Sequence, residues 1–540
     1  MFRPWFYSLS AAAVGLVVGV SLRHPGAWWA LLPVGPIILL GFWDIHQQHH
    51  TILRNFPVIG HGRYLFEMFR PEIQQYFVES NIDGRPIERE FRNIVYQRAK
   101  GDLETQPFGT QRDIYRTGYE WACHSMAPAA ALDEEPRLMV GGPDCKHPYS
   151  ASLLNISAMS FGALSSHAVL ALNQGARQGG FAHNTGEGGL SPYHLEPGGD
   201  LIWQIGTGYF GCRTPDGRFD PERFAQQAAR PQVRMIELKL SQGAKPGHGG
   251  ILPACKVTPE IARIRGVPPW ETVFSPPGHS VFSTPRQLVL FLAELRDLSG
   301  GKPVGFKLCV GRRGDFLAIC KAMIETGSTP DFITVDGGEG GTGAAPLEFS
   351  NSVGMPGRDA VIFVQNALTG AGLRNRIRLL ASGKILTGFH MIRALALGAD
   401  ACLSARGMML ALGCIQALRC NNDTCPTGIT TQNKRLVHGL DVDQKARRVA
   451  RYHKGTLRGF LDLLGAMGLR RPEEVRPYHI FRRVDDLRVR QFAELYDFLE
   501  DRQLVEGGSV PHTLWEEWQA ARPDRWATLP EKGRQRLSPV

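Results

Sequence analysis

Beyond Tyr149 the sequence alternates between short apolar segments and longer amphipathic segments, with glycine-rich loops between them. The segments SLLNISAM, VRMIELKL, PVGFKLCV and PDFITVD are typical of buried strands, whereas SSHAVLALNQGARQG and GDFLAICKAMIETG have the apolar spacing of helices. Apolar strands that alternate with helices predict parallel strands covered by helices. About eight such units close a (β/α)8 TIM barrel. A doubly wound sheet is the alternative, although no G-x-G-x-x-G motif follows the first strand.

The chain divides into four expected regions. We expect a membrane hairpin of two transmembrane helices over residues 1–48 and a segment that packs on the barrel over residues 49–149. The barrel itself is expected over residues 150–435. Residues 436–540 are expected to form a helical C-terminal extension, in which DVDQKARRVARYHKGTLRGFLDLLGAMG is the clearest amphipathic run.

The hairpin is predicted from two uncharged runs, Trp5–Leu22 and Pro25–Trp43. Each is long enough to cross the hydrocarbon core of a bilayer as a helix. A cleaved signal peptide, with Arg3 as its basic start, is the alternative for the first run. One arginine lies between the runs, whereas arginines follow the second run at positions 54, 63 and 70. This asymmetry predicts the inner (cytoplasmic) membrane, with the catalytic domain facing the cytoplasm.

Composition restricts the class of protein and its compartment. Ten cysteines in 540 residues are too few for a disulfide scaffold, so a reducing compartment is expected, where clustered cysteines indicate metal binding or catalysis. The formal charge of +10 suggests an anionic partner, but the basic residues are dispersed. No nucleic-acid module is recognisable, and we expect no nucleic-acid partner.

The segment GCIQALRCNNDTCPTG gathers three cysteines, Cys414, Cys420 and Cys425, in a C-x5-C-x4-C pattern that ends on Pro426. These three cysteines suffice for a cluster with three cysteine ligands. A four-cysteine cluster would need a fourth cysteine nearby, which the sequence lacks. Zinc held by the three thiols and His438 is a second possibility, although its spacing is poor. Reduced thiols without a metal are the third.

Two late segments, RLLASGK and DACLSARGM, have the spacing of the last two loops of a barrel. Backbone N–H groups and a helix N-terminus commonly bind a phosphate there. Structural turns before the two helices are the alternative interpretation. The candidate phosphate-binding residues are Gly383, Lys384, Ala405 and Arg406.

Two further segments suit a flavin ring. ISAMSFGALS places Ala158, Met159 and Ser160 at the mouth of the first strand, where backbone groups could bond the polar edge of the ring. Met159 could lie against the ring face, although methionine is more often a core residue. Lys307 lies within the apolar strand segment GFKLC, and a buried lysine needs an anionic or electron-rich partner such as a reduced flavin. A lysine that reaches the surface is the alternative.

These segments, together with HNTGEGG, QIGTGYFG, SQGAKPGHGG, SPPGH, GGTGAAP and CIQALRCNNDTCPTGITTQ, resemble the FMN-binding synthase domain of glutamate synthase. They follow the family order over about residues 90–435 and are most similar to its membrane-anchored, synthase-only branch. The resemblance implies a (β/α)8 barrel that binds FMN beside a [3Fe–4S] cluster. Its three cysteine ligands match Cys414, Cys420 and Cys425.

The resemblance also carries roles onto single residues. Glu187 of NTGEGG matches an active-site glutamate with a proton-transfer role, and Lys307 matches a lysine beside the flavin. These two are the candidate catalytic residues. Other residues match positions that face the site, namely Gln204, Gln242 and Lys245.

The sequence departs from the family pattern at positions near the substrate. Tyr209 replaces an arginine, His248 replaces a glutamate, and His279-Ser280 replaces paired histidines. Glu339 stands where an aspartate is usual. The departures suggest that the redox groups are retained and that the substrate pocket has changed.

The resemblance implies an oxidoreductase of the class that acts on CH–NH2 donors. Electrons would pass from the cluster to FMN, and hydride to a keto or imino acid such as 2-iminoglutarate, forming glutamate. The alternatives are the same redox groups acting on another small metabolite, or a membrane-tethered electron-transfer protein with a degenerate site. Phe2 follows Met1 where a glutaminase half would have cysteine, and no NAD(P)H fingerprint is present. We therefore expect an external electron donor (a ferredoxin, a partner subunit or a membrane carrier) and an ammonia-supplying partner.

Overall fold

The computed structural model describes residues 2–102, 105 and 107–526. The chain forms two compact units, Met1–Arg89 and Glu90–Val540. The boundary between them falls inside the segment 49–149, so the proposed four-region division remains a prediction. Residues 527–540 of the expected C-terminal extension lie outside the described part of the chain.

The first unit is helical. Two of its helical stretches, Phe2–Ser21 and Pro25–His46, are long and apolar enough to cross a membrane, a criterion of length and composition only. The two stretches pack closely where Phe6 meets Gly41, because a Cβ atom at position 41 would lie 2.1 Å from the Phe6 ring. Shorter helical segments complete the unit: Thr51–Asn55, Gly60–Ile73 and the π-helical turn Gln74–Val78.

The second unit contains a closed barrel of eight parallel strands in sequential order. The predicted TIM barrel is thereby confirmed. Strand β8 closes the barrel against β1 through the pair Cys402 and Leu154. The strands are β1 Leu154–Ile156, β2 His183–Asn184, β3 Leu201–Ile205, β4 Val233–Lys239, β5 Val304–Leu308, β6 Phe332–Asp336, β7 Arg378–Ser382 and β8 Ala401–Ser404.

Helices cover the outside of the barrel, and several of them begin at side-chain caps. The Ser165 hydroxyl accepts a hydrogen bond from the Ala168 N–H at the first of them, and Gly180 ends that helix with φ of +66°. The helices between successive strands are Ser166–Gly179, Pro192–Leu195, Pro221–Ala228, Pro259–Arg265, Pro285–Leu298, Arg313–Thr326, Leu347–Ser352, Gly357–Gly370 and Gly388–Ala396, and Arg406–Leu412 follows β8.

The centre of the barrel is polar rather than wholly apolar. The buried Glu237 carboxylate on β4 accepts hydrogen bonds from Asn184 Nδ2 at 2.7 Å, Gln204 Nε2 at 2.6 Å and Thr334 Oγ1 at 2.6 Å. Four strands are therefore joined by one side chain, since these residues lie on β2, β3, β4 and β6. A buried carboxylate is tolerated because its oxygens are hydrogen-bonded.

Chain segments before and after the barrel pack on each other. Glu120–Ala122 pairs antiparallel with Ile480–Arg483, which pairs in turn with Val489–Gln491. The long helix Val442–Ala466 lies against Ser166–Gly179. The remaining strands and helices are Arg137–Val140, Tyr149–Ser152, Ile251–Leu252, Val273–Phe274, Arg89–Lys100, Lys434–His438, Phe492–Leu495, Gln503–Glu506 and His512–Ala520, with short 3-10 turns between some of them.

Candidate active site

The candidate site lies at the C-terminal ends of the barrel strands and is built around Glu187 in the loop after β2. The Glu187 carboxylate accepts a hydrogen bond from Lys239 Nζ at 2.7 Å, and Lys239 is the last residue of β4. Two glycines make room for the carboxylate. A Cβ atom at Gly206 would lie 2.4 Å from Glu187 Oε2, and one at Gly250 would lie 2.8 Å from Oε1. The carboxylate is therefore fixed in position by its surroundings.

Cations surround Glu187. Burial alone would raise the pKa of Glu187, but Lys239, Arg265 and Lys245 outweigh it and lower the pKa below its usual value. Burial lowers the pKa of Lys245 to about 8, with Glu187 opposing the shift and Lys239 adding to it. Burial likewise lowers the pKa of Arg265 to about 10. One carboxylate among three buried cations makes this end of the barrel suited to an anionic ligand.

Arg265 and Lys239 are site residues that the sequence reasoning missed. Arg265 Nη2 donates to Phe161 O at 3.1 Å and lies 3.4 Å from Ser160 Oγ, in the loop after β1. An arginine that ends a helix is ordinarily interpreted as complementing the helix dipole, so no pattern singled it out. Lys239 itself had a usable signal, because it lies within the apolar strand segment VRMIELKL as Lys307 lies within GFKLC, but its proximity to Glu187 had none.

Lys307 is buried on β5 and has a protein partner. Its ammonium lies 3.4 Å from the Asp336 carboxylate at the end of β6. The same carboxylate accepts the Gly243 N–H at 3.0 Å, which connects the loop after β4 to β6. The prediction of a buried lysine with an anionic neighbour is thus met by Asp336, and a flavin role for Lys307 stays a prediction.

The predicted mouth residues on the first loop lie at the same end. Ala158, Met159 and Ser160 follow β1, and the Met159 side chain is buried. The loop after β2 approaches their backbone closely, since a Cβ atom at Gly186 would lie 2.6 Å from Ser160 N. Gly186 also has φ of +64°, so glycine is required there on both counts.

Of the remaining matched residues, the structure places Gln204 within the barrel, where its amide donates to Glu237. Gln242 accepts the Lys245 N–H at 3.3 Å through its backbone carbonyl and so supports the loop that carries Lys245. The Gln204 amide nitrogen is therefore directed to the barrel centre and not to the cluster of cations.

The two late loops form a strongly curved backbone. Gly383 and Lys384, after β7, have φ of +129° and +49°. Ala405 and Arg406 follow the neighbouring strand β8, and Arg406 Nη2 donates to Glu339 O at 2.7 Å. Gly383 lets the backbone after β7 approach a ligand closely, and a helix begins at Arg406 after β8, two features that phosphate-binding loops of such barrels share. Phosphate binding by these loops stays a prediction.

Three of the positions that depart from the family pattern, Tyr209, His279 and Ser280, meet in one hydrogen-bond network. The Tyr209 hydroxyl accepts the Ser280 N–H at 3.1 Å and lies 3.1 Å from His279 Nδ1. His279 Nε2 donates to Lys239 O at 2.9 Å. Burial lowers the pKa of His279 to about 4, so the imidazole is neutral. The network therefore carries no charge and is bonded directly to the strand end that bears Lys239.

Two other departures lie nearby. The Glu339 carboxylate accepts the Gly357 N–H at 2.9 Å and packs against Gly337. His248 lies beside its neighbour's carbonyl, with Nδ1 2.9 Å from Gly249 O. Glu339 thus helps to position the loop after β6, which also accepts the Arg406 guanidinium.

The three cysteines lie on one loop between the helices Arg406–Leu412 and Lys434–His438. Within the described part of the chain, no three His, Cys, Asp or Glu side chains are gathered closely enough to hold a metal ion. Burial raises the pKa of Cys414 to about 11. Burial would also raise that of Cys425, but hydrogen bonds from Thr427 and Thr430 lower it below its usual value. The donor chemistry fits an iron–sulfur group, whereas the thiols are not assembled as a ligand set.

A buried lysine supports this loop. Lys256 Nζ donates to Cys420 O at 2.7 Å and Thr430 O at 2.6 Å, and to Ala163 O at 3.3 Å in the loop after β1. The ammonium therefore joins both arms of the cysteine loop to the mouth of the barrel.

Comparison with known proteins gives consistent matches. A family model described as a conserved region in glutamate synthase matches residues 134–470. The chain is 37% identical over 494 residues to glutamate synthase large subunit-like protein YerD of Bacillus subtilis (strain 168), covering 84% of this chain and 94% of that protein.

Other matches cover less of this chain, or have low sequence identity to it. Archaeal glutamate synthase (NADPH) of Methanocaldococcus jannaschii is 38% identical over 324 residues, which is 59% of this chain and 60% of that protein. A crystal structure of mandelate oxidase covers 69% of this chain and 88% of its own, with 15% identity and a TM-score of 0.42.

Proposed function

Because this chain belongs to the glutamate synthase family, we propose that it is an FMN-dependent oxidoreductase whose substrate is a small keto or imino acid. The single observation that carries the proposal is the partly buried Glu187 carboxylate among Lys239, Lys245 and Arg265 at the barrel mouth. Lys307 stands in register beside Lys239 and completes the set of polar groups at the strand ends.

The cations are the proposed binding groups for the carboxylate of the substrate. Arg265 is tied to the loop after β1 by its bond to Phe161 O, so its guanidinium is held in place before a ligand arrives. Lys245 has no comparable tie among the contacts described. We propose 2-iminoglutarate, the precursor of glutamate, as the first substrate to test.

Glu187 is the proposed proton-transfer group. Its lowered pKa keeps the carboxylate ionised at neutral pH, so it would hold a proton only transiently, at Oε1 or Oε2. Lys239 Nζ, which donates to Oε1, is the proton source nearest to it in the structure. A change of Glu187 to glutamine keeps the shape of this group and removes its basicity.

FMN would be held by the phosphate-binding loops at Gly383, Lys384, Ala405 and Arg406 and by the backbone at Ala158–Ser160. When bound, FMN would supply hydride transfer to the substrate carbon. Lys307 would lie beside the flavin with its charge partly balanced by Asp336. Gln242 and Lys245 would help to bind FMN from the loop after β4. Gln204 would support the FMN site from within the barrel, through its hydrogen bond to Glu237.

A [3Fe–4S] cluster would be held by Cys414, Cys420 and Cys425 and would supply one-electron transfer. Lys256 holds the loop that carries these residues. Electrons would come from an external donor, either a ferredoxin, a partner subunit or a membrane carrier. Ammonia would come from a separate protein.

We also propose that the two apolar helices anchor the chain in the cytoplasmic membrane, with the barrel in the cytoplasm. The start of the first helix and the segment after the second meet, since Arg3 Nη2 donates to Asn55 Oδ1 at 3.3 Å. The first helix therefore begins on the side where the second helix ends, as a two-span hairpin requires.

A second candidate is the same redox reaction on a different small metabolite. The specific observation in its favour is the uncharged Tyr209–His279–Ser280 network, which stands where the family pattern has an arginine and paired histidines. Among the described residues, the three side chains of the network bring no positive charge of their own to a second carboxylate, where the family pattern would bring an arginine.

The test is a reoxidation assay on the purified, anaerobic, full-length protein. Absorbance bands of flavin and a broad iron–sulfur shoulder are expected, and a colourless preparation after reconstitution would refute the proposal. The reduced protein is then mixed with 2-oxoglutarate plus ammonia, and separately with other keto acids. Reoxidation by the first mixture supports glutamate formation, whereas reoxidation only by another acid supports the second candidate.

A matched pair of variants, measured in the same assay, tests the role of Glu187. Glu187→Gln removes the partly buried carboxylate of the site, and Glu196→Gln removes an exposed carboxylate that directly follows the helix Pro192–Leu195. We expect Glu187→Gln to slow reoxidation by about 100-fold, within the range for loss of a general acid or base. Glu196→Gln should leave it unchanged.

A further inference from the structure

An amphipathic helix follows the second apolar helix in the first unit. It consists of the α-helix Gly60–Ile73 and the π-helical turn Gln74–Val78, here called the juxtamembrane helix. Its large apolar side chains are exposed, with Phe66 at 68% and Phe77 at 85% of full exposure. Monomeric soluble proteins rarely leave such a contiguous apolar surface open to water.

The exposed apolar residues share one side of the helix. Leu65, Phe69, Ile73 and Tyr76 are spaced by four, four and three residues, which places them in one row. Phe66, Met68 and Phe77 lie on either side of this row. The row and its flank of Phe66 and Phe77 form one apolar face, and Glu72, four residues from both Met68 and Tyr76, lies at the edge of that face.

The opposite side of the helix is polar and carries charge. Arg63, Glu67, Arg70 and Gln74 are spaced by four, three and four residues. Arg63 and Glu67 form an ion pair at 3.0 Å, and both side chains remain more than half exposed. A helix with one apolar face and one charged face suits the boundary between lipid and water.

The start of the helix is fixed to the end of the second apolar helix. Asp44, buried near the end of that helix, accepts the Val58 N–H at 2.8 Å and bonds His61 Nε2 at 2.8 Å. The Gln47 side chain bonds Asp44 O and both backbone groups of His50, which closes the intervening turn. The juxtamembrane helix therefore begins at the level where the apolar helix ends.

We propose that the juxtamembrane helix lies in the membrane surface, with Leu65, Phe66, Phe69, Ile73 and Phe77 inserted among the lipids. The inference rests on the proposed anchoring of the two apolar helices. The occupant of the apolar face is then lipid rather than a second copy of the chain, because the Asp44 contacts hold the helix at the depth of the lipid headgroups.

The experiment is site-specific photo-crosslinking of the full-length protein in cell membranes. Phe66 or Phe77 is replaced with p-benzoylphenylalanine, a close analogue of phenylalanine. Glu67 and Gln74 on the polar face receive the same replacement as matched controls. We expect phospholipid adducts, detected by mass, at least about tenfold more abundant from the apolar face than from the polar face.

Crosslinking from two further positions distinguishes a failure of this inference from a failure of the proposed membrane anchor. Leu16 and Leu39, exposed on the two apolar helices, receive the same replacement. Lipid adducts at these positions without adducts at Phe66 and Phe77 would overturn the inference and leave the anchor intact. Absence of lipid adducts at Leu16 and Leu39 would overturn both. Crosslinked dimers from Phe66 or Phe77, or equal adducts from both faces, would also overturn it.

Discussion

Lys256→Met removes one ammonium that joins both arms of the cysteine loop to the barrel. The two short bonds, to Cys420 O and Thr430 O, contribute about 3 kcal/mol at the low end of the range for charged donors. Removing the ammonium also removes the cost of burying it, and burial does lower the pKa of Lys256. We therefore expect a net loss of about 2 kcal/mol, or an increase of about 30-fold in local opening of the loop.

Hydrogen exchange of the backbone amides in residues 425–433 measures this opening directly. Lys302→Met is the matched control, because Lys302 Nζ also donates to three carbonyl oxygens, those of Ala228, Arg230 and Val233. These carbonyls lie between the end of the helix Pro221–Ala228 and the first residue of β4, away from the cysteine loop. We expect about 30-fold faster exchange and reduced iron content in Lys256→Met only. Unchanged exchange in Lys256→Met, or equal acceleration in Lys302→Met, would refute the reasoning.

Three further variants test the site and the barrel. Gly206→Ala would place a Cβ atom 2.4 Å from Glu187 Oε2 and should displace that carboxylate, lowering turnover by about tenfold or more. Gly278→Ala should have little effect in the same assay, because a Cβ atom there would meet no described residue within 4 Å beyond its two chain neighbours. Lys245, whose pKa is lowered to about 8 from 10.5, binds its proton less tightly in the folded state, so the free energy of unfolding should rise with pH between these values. Urea titrations at several pH values would show this rise in the native protein and a smaller one in Lys245→Met, and affinity for an anionic substrate should weaken above about pH 8. Glu237→Leu leaves three buried donors without their acceptor and should lower the free energy of unfolding, measured in urea, by about 3 kcal/mol. An equal decrease in Glu237→Gln would assign the effect to the lost charge rather than to the missing acceptor.

The barrel was predictable from sequence because its signal is local. Alternating strand and helix segments each carry their own apolar spacing, and caps such as Ser165 mark the ends of the helices. The location of Lys307 on a buried strand and the grouping of three cysteines on one loop are equally local. The pairing of Glu120–Ala122 with Ile480–Arg483 has no such signal, because more than 350 residues separate the two strands.

The candidate site was predictable only in part, because its charges come from residues that are distant in the sequence and meet only in the fold. Glu187 was recognisable from its motif, but its neighbours Lys239 and Arg265 come from a strand end and a helix end that are distant in sequence. The partner of Lys307 was also hidden, since Asp336 belongs to the next strand of the barrel. The meeting of Tyr209 with His279 likewise required the insert after β4 to fold back over the loop after β3.

Closure of the barrel has a consequence for the order of events during synthesis. Strand β1 can pair with β8 only when Ser404 has been made, whereas the apolar helices end at His46. At about 5–20 residues per second, the ribosome needs roughly 20–70 s to add the residues between these points. Under the proposed anchoring, the membrane would therefore receive the first helices while the barrel is still open, and the ribosome would already be tethered when the last strand emerges.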